Sequence, residues 1–351
     1  MLMNSVYKKV VFLFPGQGSQ NVGMASSLYN DWPWFKKGID ELFALSPQNA
    51  IVPLNEVMLG LNGNGDLLME TLYTQPILYA LEVMLAQTWG RWGLKPSAVI
   101  GHSLGDISAA AVAGACTFED GMRLASERGR LMQELLIPGK YTVVLGESSD
   151  VIEIVHPYKP DVTIGGSNGP NITVVSGLEK SVDKVLNECT KRGMNYRLVN
   201  ASLPFHSPLM KPMIDDFEQS CKKLTFQQPS LPWFSTMSGQ RLGTVDTIDI
   251  EYWKAQIIEP VRFWVAMASV TEDEPCIFLE IGSGRTLINM GKQAIAPEDH
   301  LWLASLDPKK NNFETLEKVA VSLSDAGILL NIEKFYSDIK SIKGSDGLKQ
   351  S

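Results

Sequence analysis

The run Gly101-His102-Ser103-Leu104-Gly105 constrains this chain more than any other five residues. It is a G-x-S-x-G pattern, preceded by the strand-like Ser97-Ala98-Val99-Ile100 and followed by an Ala- and Ser-rich helical stretch, Asp106–Ala115. A serine held between a strand and a helix in this way sits on a sharp turn, and side chains at the glycine positions would strike neighbouring backbone. The turn leaves the hydroxyl at the carboxyl end of a strand. The free N–H groups and positive dipole end of a helix then lie beside it, suited to a developing oxyanion.

The remaining sequence alternates strand and helix. Val10–Phe14 is a β-rich run ended by Pro15-Gly16. Apolar residues at helical spacing (Leu78, Leu81, Met84) predict a helix between Met69 and Trp92, and a second helix is predicted from Phe118 to Leu136. From Tyr141 the texture changes. Strands at Tyr141–Leu145, Asp161–Ile164, Asn171–Val175 and Tyr196–Val199, with an amphipathic helix over Ser181–Arg192, fit a strand–helix–strand–strand–helix–strand order. Such an order describes a small α+β unit of about 65 residues. Helical pattern resumes from Ser207 to Leu224, and Cys276–Glu280 is a late strand ended by Ile281-Gly282-Ser283-Gly284. The expected organisation is a large α/β domain from 1–140 and 203–335, an inserted unit at 141–202, and a frayed tail over 336–351 that lacks bulky anchors.

Several function classes are excluded by composition. At 351 residues, 44% hydrophobic and 20% charged, the chain is an ordinary globular protein of one large or two unequal domains. A net charge of −8 disfavours nucleic acid as a partner. Cys116, Cys189, Cys221 and Cys276 are scattered, with no C-x-x-C pair, so neither a zinc site nor a disulfide framework is expected. Lys8 and Lys9 precede an apolar run of only five residues, too short for a secretory leader. No stretch approaches the ~18–20 apolar residues that span a bilayer. The expectation is a cytoplasmic protein with no membrane contact, no metal and no cofactor.

A serine nucleophile needs a base, and the chain has four histidines. His102 adjoins Ser103, and successive side chains at such a turn rarely converge. His156 and His300 lie in polar, proline-flanked stretches. His206, in Leu203-Pro204-Phe205-His206-Ser207-Pro208, falls where the small unit returns to the large one, and a domain junction is a natural cleft. His206 is therefore the base by elimination. No Asp or Glu is placed to orient it, which allows a Ser–His dyad steadied by a backbone carbonyl. The loop Phe14-Pro15-Gly16-Gln17-Gly18-Ser19-Gln20 is neither a Walker loop nor a dinucleotide fingerprint. Strand ends of one parallel sheet converge, which lets the Gln17 amide and loop N–H groups reach Ser103. An inward arginine would bind a carboxylate bidentately, but spacing leaves open which of Arg123, Arg128 and Arg130 faces the cleft.

Together these segments resemble the malonyl-CoA:acyl carrier protein transacylase family, including polyketide-synthase acyltransferase domains. The blocks that match, in order, are Phe14–Gln20, Thr74-Gln75-Pro76, Gly101–Gly105, Arg128–Gln133, Ser167–Gly177, Pro204–Pro212 and Glu280–Gly284. The resemblance implies an α/β-hydrolase-like domain with a ferredoxin-like insertion. It implies Ser103 as the acylated nucleophile, His206 as base and then acid, and Gln17 with the Leu104 N–H as the oxyanion hole. Arg128 would pair with the free carboxylate of a malonyl or methylmalonyl group, Asn168 and Gln75 would line the pocket, and the Glu280–Gly284 carbonyls would help hold the histidine. Acyl-CoA, expected to be malonyl-CoA, and a holo acyl carrier protein are the implied partners, with ping-pong kinetics. Phe205 resembles the malonyl-preferring form of the motif. The segments Ser167–Pro170, Trp233–Thr236 and Tyr252-Trp253 followed by Glu259-Pro260-Val261-Arg262-Phe263 look more like polyketide-synthase members, and a free-standing enzyme acting in trans on a modular synthase is the expectation.

Two positions depart from the pattern. Asp106 stands where the family has Glu. Tyr141 falls where the family has a methionine in a small-residue run, and is read either as a pocket wall or as a core residue opening a strand. A hydrolase that clears acyl groups from carrier proteins would use the same serine and histidine, but commonly lacks the arginine. A silent docking subunit is the third reading, opposed by the intact Ser103 and His206. Lys211, Arg285 and Lys292 flank motifs near the cleft and are candidates for contact with an acidic carrier.

Overall fold

The structure is a computed structural model and describes residues 7, 9–46, 50–199, 203–242, 248–271 and 274–346. Nine strands among them form two sheets: β1 (Lys9–Phe14), β2 (Ala98–Gly101), β3 (Gly139–Leu145), β4 (Val162–Gly169), β5 (Ile172–Leu178), β6 (Asn195–Leu198), β7 (Trp233–Phe234), β8 (Cys276–Ser283) and β9 (Leu301–Leu306). The larger sheet is parallel, in the order β7-β2-β1-β8-β9. Its central strands are buried on both faces, which is why Val10–Phe14 and Ala98–Ile100 read as continuous apolar runs. Two clusters of buried side chains pack the two faces.

The smaller sheet is antiparallel, in the order β4-β5-β3-β6, and its helices Ser148–Val155 and Glu179–Lys191 cover one face. Here the chain has the strand–helix–strand–strand–helix–strand order read from the sequence. The first strand opens at Gly139, and the expected boundary at 202 lies outside the described residues. The architecture is a mixed α/β domain carrying a small ferredoxin-like subdomain.

The helix predicted between Met69 and Trp92 runs from Thr71 to Arg91 and is buried along most of its length. The predicted second helix is Phe118–Glu134, capped by Thr117, whose hydroxyl accepts from the Asp120 N–H at 3.0 Å. The tail expected to fray from 336 onward is instead helical: Ile332–Asp346 is one helix. Phe335, Ile339 and Ile342 recur at helical spacing and are buried in the main core. These sparse anchors lie among serines and lysines, which hid the pattern in the sequence. The tips at 347–351 lie outside the described residues.

Candidate active site

Strand register builds the site. Phe14 of β1 pairs with Gly101 of β2, so the loop after each strand leaves the sheet at the same edge. The two loops are packed backbone to backbone. A Cβ on Gly105 would collide with the Phe14 carbonyl, and one on Gly16 with the His102 carbonyl. Ser103 sits at the apex with φ +55°, in the left-handed region that side-chain-bearing residues rarely adopt. Leu104 caps the elbow helix Gly105–Val112. Neither the Leu104 nor the Gln17 N–H has an acceptor among the described residues.

His206 arrives from the other side. It too is held at φ +53°, and it is only 3% exposed. Its Nε2 lies 2.7 Å from the Ser103 Oγ, and its Nδ1 lies 3.0 Å from the Glu259 carbonyl oxygen. An Nδ1–H donated to that carbonyl leaves the Nε2 lone pair facing the serine hydroxyl. Burial, then the nearby Arg128 and His102, push the His206 pKa down to about 3, so the imidazole is a neutral acceptor at neutral pH.

The carbonyl that orients the histidine was expected from Glu280–Gly284. It comes instead from Glu259, which ends the helix Ile250–Ile258. Glu280 is turned inward, with its carboxylate accepting from the Thr286 and Ile288 N–H groups at 2.8 and 2.9 Å. Helix Ile250–Ile258 is fastened to the elbow twice. Gln256 Nε2 donates to the Ser103 carbonyl at 2.6 Å, and Tyr252 Oη donates to Asp106 at 2.8 Å. Trp233 Nε1 donates to the other Asp106 oxygen at 2.9 Å, and burial raises this carboxyl to about 7. Gln256 carries no signal in the sequence, and Glu259 enters only as part of a segment resembling polyketide-synthase members, with no role for its carbonyl.

Of the three candidate arginines, Arg128 faces the cleft. Arg123 and Arg130 pair with Asp120, Glu127 and Glu134 along their own helix. Arg128 is 3% exposed. Its Nη1 donates to Gln75 Oε1 at 2.9 Å and its Nη2 to Ser103 Oγ at 3.2 Å, while its Nε is buried with no acceptor. Burial pulls its pKa down to about 10, which still leaves it a cation at neutral pH. No carboxylate pairs with it among the described residues.

A pocket opens over these groups, lined by Gln17, Gln75, Ser103, Arg128, Phe205 and His206, with Gly18, His102, Tyr141 and Val199 completing the wall. Asn168, expected on that wall, lies behind it. Its Oδ1 is 2.9 Å from His102 Nε2, at a point where the β4–β5 register shifts and re-aims the side chains. Lys211, Arg285 and Lys292 are exposed. No cluster of metal-ligating side chains occurs among the described residues, nor any helix long and apolar enough to cross a membrane.

Known proteins share this fold. The chain is 36% identical to polyketide synthase GfsB of Streptomyces halstedii over 288 residues, 82% of this chain and 5% of that protein. It is 35% identical to the mycoketide-CoA synthase of Mycobacterium tuberculosis over 280 residues, 80% of this chain and 7% of that protein. The chain therefore spans a small part of these curated relatives. The acyltransferase domain from the second module of the salinomycin polyketide synthase superposes with a TM-score of 0.87 at 30% identity, covering 95% of this chain and 77% of that one. The malonyl CoA-acyl carrier protein transacylase from Clostridium perfringens superposes at 0.79 and 27% identity, covering 91% and 98%. A family model described as the acyl transferase domain matches residues 11–325. On that match, and on relatives that are polyketide synthases, the chain belongs to the acyl transferase domain family.

Proposed function

We propose that this chain moves a malonyl group from coenzyme A to the phosphopantetheine thiol of an acyl carrier protein in polyketide biosynthesis, through an acyl-Ser103 intermediate. The observation that carries this reading is Arg128. A buried guanidinium beside the nucleophile, with a neutral amide as partner and one N–H unpaired, is an uncompensated charge. An acyl group ending in a carboxylate supplies the missing counterion as it enters.

The chemistry follows from the other contacts. His206 Nε2 takes the Ser103 proton as Oγ attacks the thioester carbonyl. The Leu104 and Gln17 N–H groups receive the oxyanion, and His206 returns the proton to the departing coenzyme A thiolate. The carrier thiol then gives its proton to His206, attacks the acyl-serine, and leaves Ser103 reprotonated. One thioester is exchanged for another, so the task is oxyanion stabilisation and exclusion of water until the thiol arrives. Phe205 on the wall crowds an α-methyl branch, a difference worth about 1–3 kcal/mol in such a pocket. The exposed Lys211, Arg285 and Lys292 are the proposed contacts with the acidic carrier.

Intact-mass spectrometry tests the reading. The protein is mixed with malonyl-, methylmalonyl- and acetyl-CoA, then with holo carrier protein, with Ser103→Ala as control. A malonyl adduct that passes to the carrier, and is lost in Arg128→Ala, is the expected result. No malonyl adduct, with rapid release of acyl groups from a preloaded carrier, would make the chain an editing hydrolase instead.

A further inference from the structure

Tyr141 brings a second polar group to the pocket wall. Along β3 the residues alternate: Val144 packs with the helices of the small subdomain, whereas Tyr141 faces the opposite way, into the pocket. Its ring stands edge-on to Phe205, with centroids 6.1 Å apart, and 6.3 Å from the ring of His206. Gly165 makes room for it, since a Cβ there would come within 3.1 Å of the Tyr141 ring. Ser176, the cross-strand neighbour of Tyr141, donates to the Phe205 carbonyl and so fixes the loop on which Phe205 and His206 sit. The ring is held on several sides, yet the phenolic hydroxyl has no hydrogen-bond partner among the described residues. Burial raises its pKa, so it is a neutral donor at neutral pH, and it lines the same pocket as Arg128.

A carboxylate has about four lone-pair sites. One guanidinium edge cannot satisfy all of them in a pocket that excludes water, and an unpartnered phenol on the wall of the same pocket is placed to take another. We propose that the Tyr141 hydroxyl is a specificity-determining donor that binds, with Arg128, the free carboxylate of the incoming acyl group. The phenol makes the pocket selective for acyl groups that end in a carboxylate over neutral ones of similar size. A site built to hydrogen-bond a substrate group discriminates strongly against analogues that lack it. This inference rests on the malonyl-transfer reading.

The test is a competition experiment on the full chain. Malonyl-CoA and acetyl-CoA are supplied together, and the two adducts on Ser103 are read by intact mass at early times. Tyr141→Phe keeps the ring packing on Phe205 and Gly165 and removes only the hydroxyl. The malonyl-to-acetyl ratio is expected to fall by about tenfold or more, the size of one hydrogen bond to a charged group. In a Ser103→Ala background, calorimetry is expected to show weaker binding of malonyl-CoA by a similar factor on adding Tyr141→Phe. The acetyl adduct in the same tube reports that the variant is folded. Tyr141→Met also removes the hydroxyl and gives the same readout if the phenylalanine variant is not obtained folded. A wild-type protein that takes acetyl but no malonyl would overturn both the transfer reading and this role. A wild-type protein that takes malonyl, with an unchanged ratio in both variants, would overturn the role of Tyr141 alone.

Discussion

Ser103 and His206, the proposed nucleophile and base, share an unusual backbone state. Ser103 and His206 both sit at positive φ without being glycine, and both are held there by neighbours: the Gln256 amide on the Ser103 carbonyl, and the Ser176 hydroxyl on the carbonyl just before His206. The glycines beside Ser103 are needed for a different reason, because Gly105 touches the Phe14 carbonyl directly. Gly105→Ala is expected to cost several kcal/mol, read as a lower urea midpoint, since both colliding groups are backbone. His206 has its own signature in pH. A histidine at the ordinary value of about 6.5 would lose half its basic form there. With its pKa near 3, His206 stays neutral as the solution is acidified. Ser103 acylation is therefore expected to show no acid limb near pH 6.5 and to persist to pH 5, and an inflection at 6.5 in the acylation rate would contradict the buried, neutral base. The serine was legible from five residues and the histidine from elimination among four. The orienting carbonyl was not legible, because every residue has one and only the fold says which points at the ring.

At the scale of elements, one helix joins Ser103 to His206. Ile250–Ile258 starts on an Asp249 cap, ties to the elbow through Tyr252 and Gln256, and ends on the Glu259 carbonyl that orients His206. Asp106 is the anchor on the elbow side, accepting from both Tyr252 and Trp233. The aspartate that replaces the family's glutamate thus bonds two aromatic donors from distant segments. Gln256→Ala removes a buried amide bonded to the serine's own carbonyl. It is expected to lower kcat for acyl transfer about tenfold, while KM for the acyl-CoA moves little, because the change falls on alignment and not on the pocket wall. A rise in KM alone would show that the helix serves binding. Sequence periodicity found the long helices Thr71–Arg91 and Phe118–Glu134, but not Ile250–Ile258, Phe263–Val270 or Asn312–Asp325, nor the short strand β7 and the last strand β9. β7 is two residues long and is defined by its pairing with β2, which local pattern does not show.

The whole molecule is closed by its last helix. Phe335 packs edge-on against Trp92 at 4.9 Å, and Trp32 stacks on the same indole at 5.9 Å. Asp338 is buried there, accepting from Arg91 Nε and Nη2 at 2.6 and 2.9 Å and from Trp92 Nε1 at 3.1 Å. Burial alone would raise this carboxyl, but the bonds from Arg91, Lys334 and Trp92 outweigh it and hold the pKa below its ordinary value. A depressed carboxyl stabilises the fold above its unfolded pKa, about 3.9, and that stability is lost as pH falls through the folded value. Asp338→Ala is expected to cost about 2 kcal/mol at pH 7, visible as a lower urea midpoint. The difference from wild type should shrink below pH 4, and a difference independent of pH would show that packing, not charge, carries the effect.

The elbow, its serine, the parallel core and the inserted α+β unit are all readable before any fold is known. Each is written in local pattern: glycine spacing, apolar runs and the alternation of strand and helix. Only contacts between distant elements fix which carbonyl holds the histidine, that Asn168 stands behind the wall and that the helix Ile332–Asp346 is anchored; for the inward arginine, spacing is silent and the family resemblance points to Arg128. Those outcomes depend on register between strands far apart in the chain and on the burial of groups whose neighbours come from other elements. No window of sequence contains both partners.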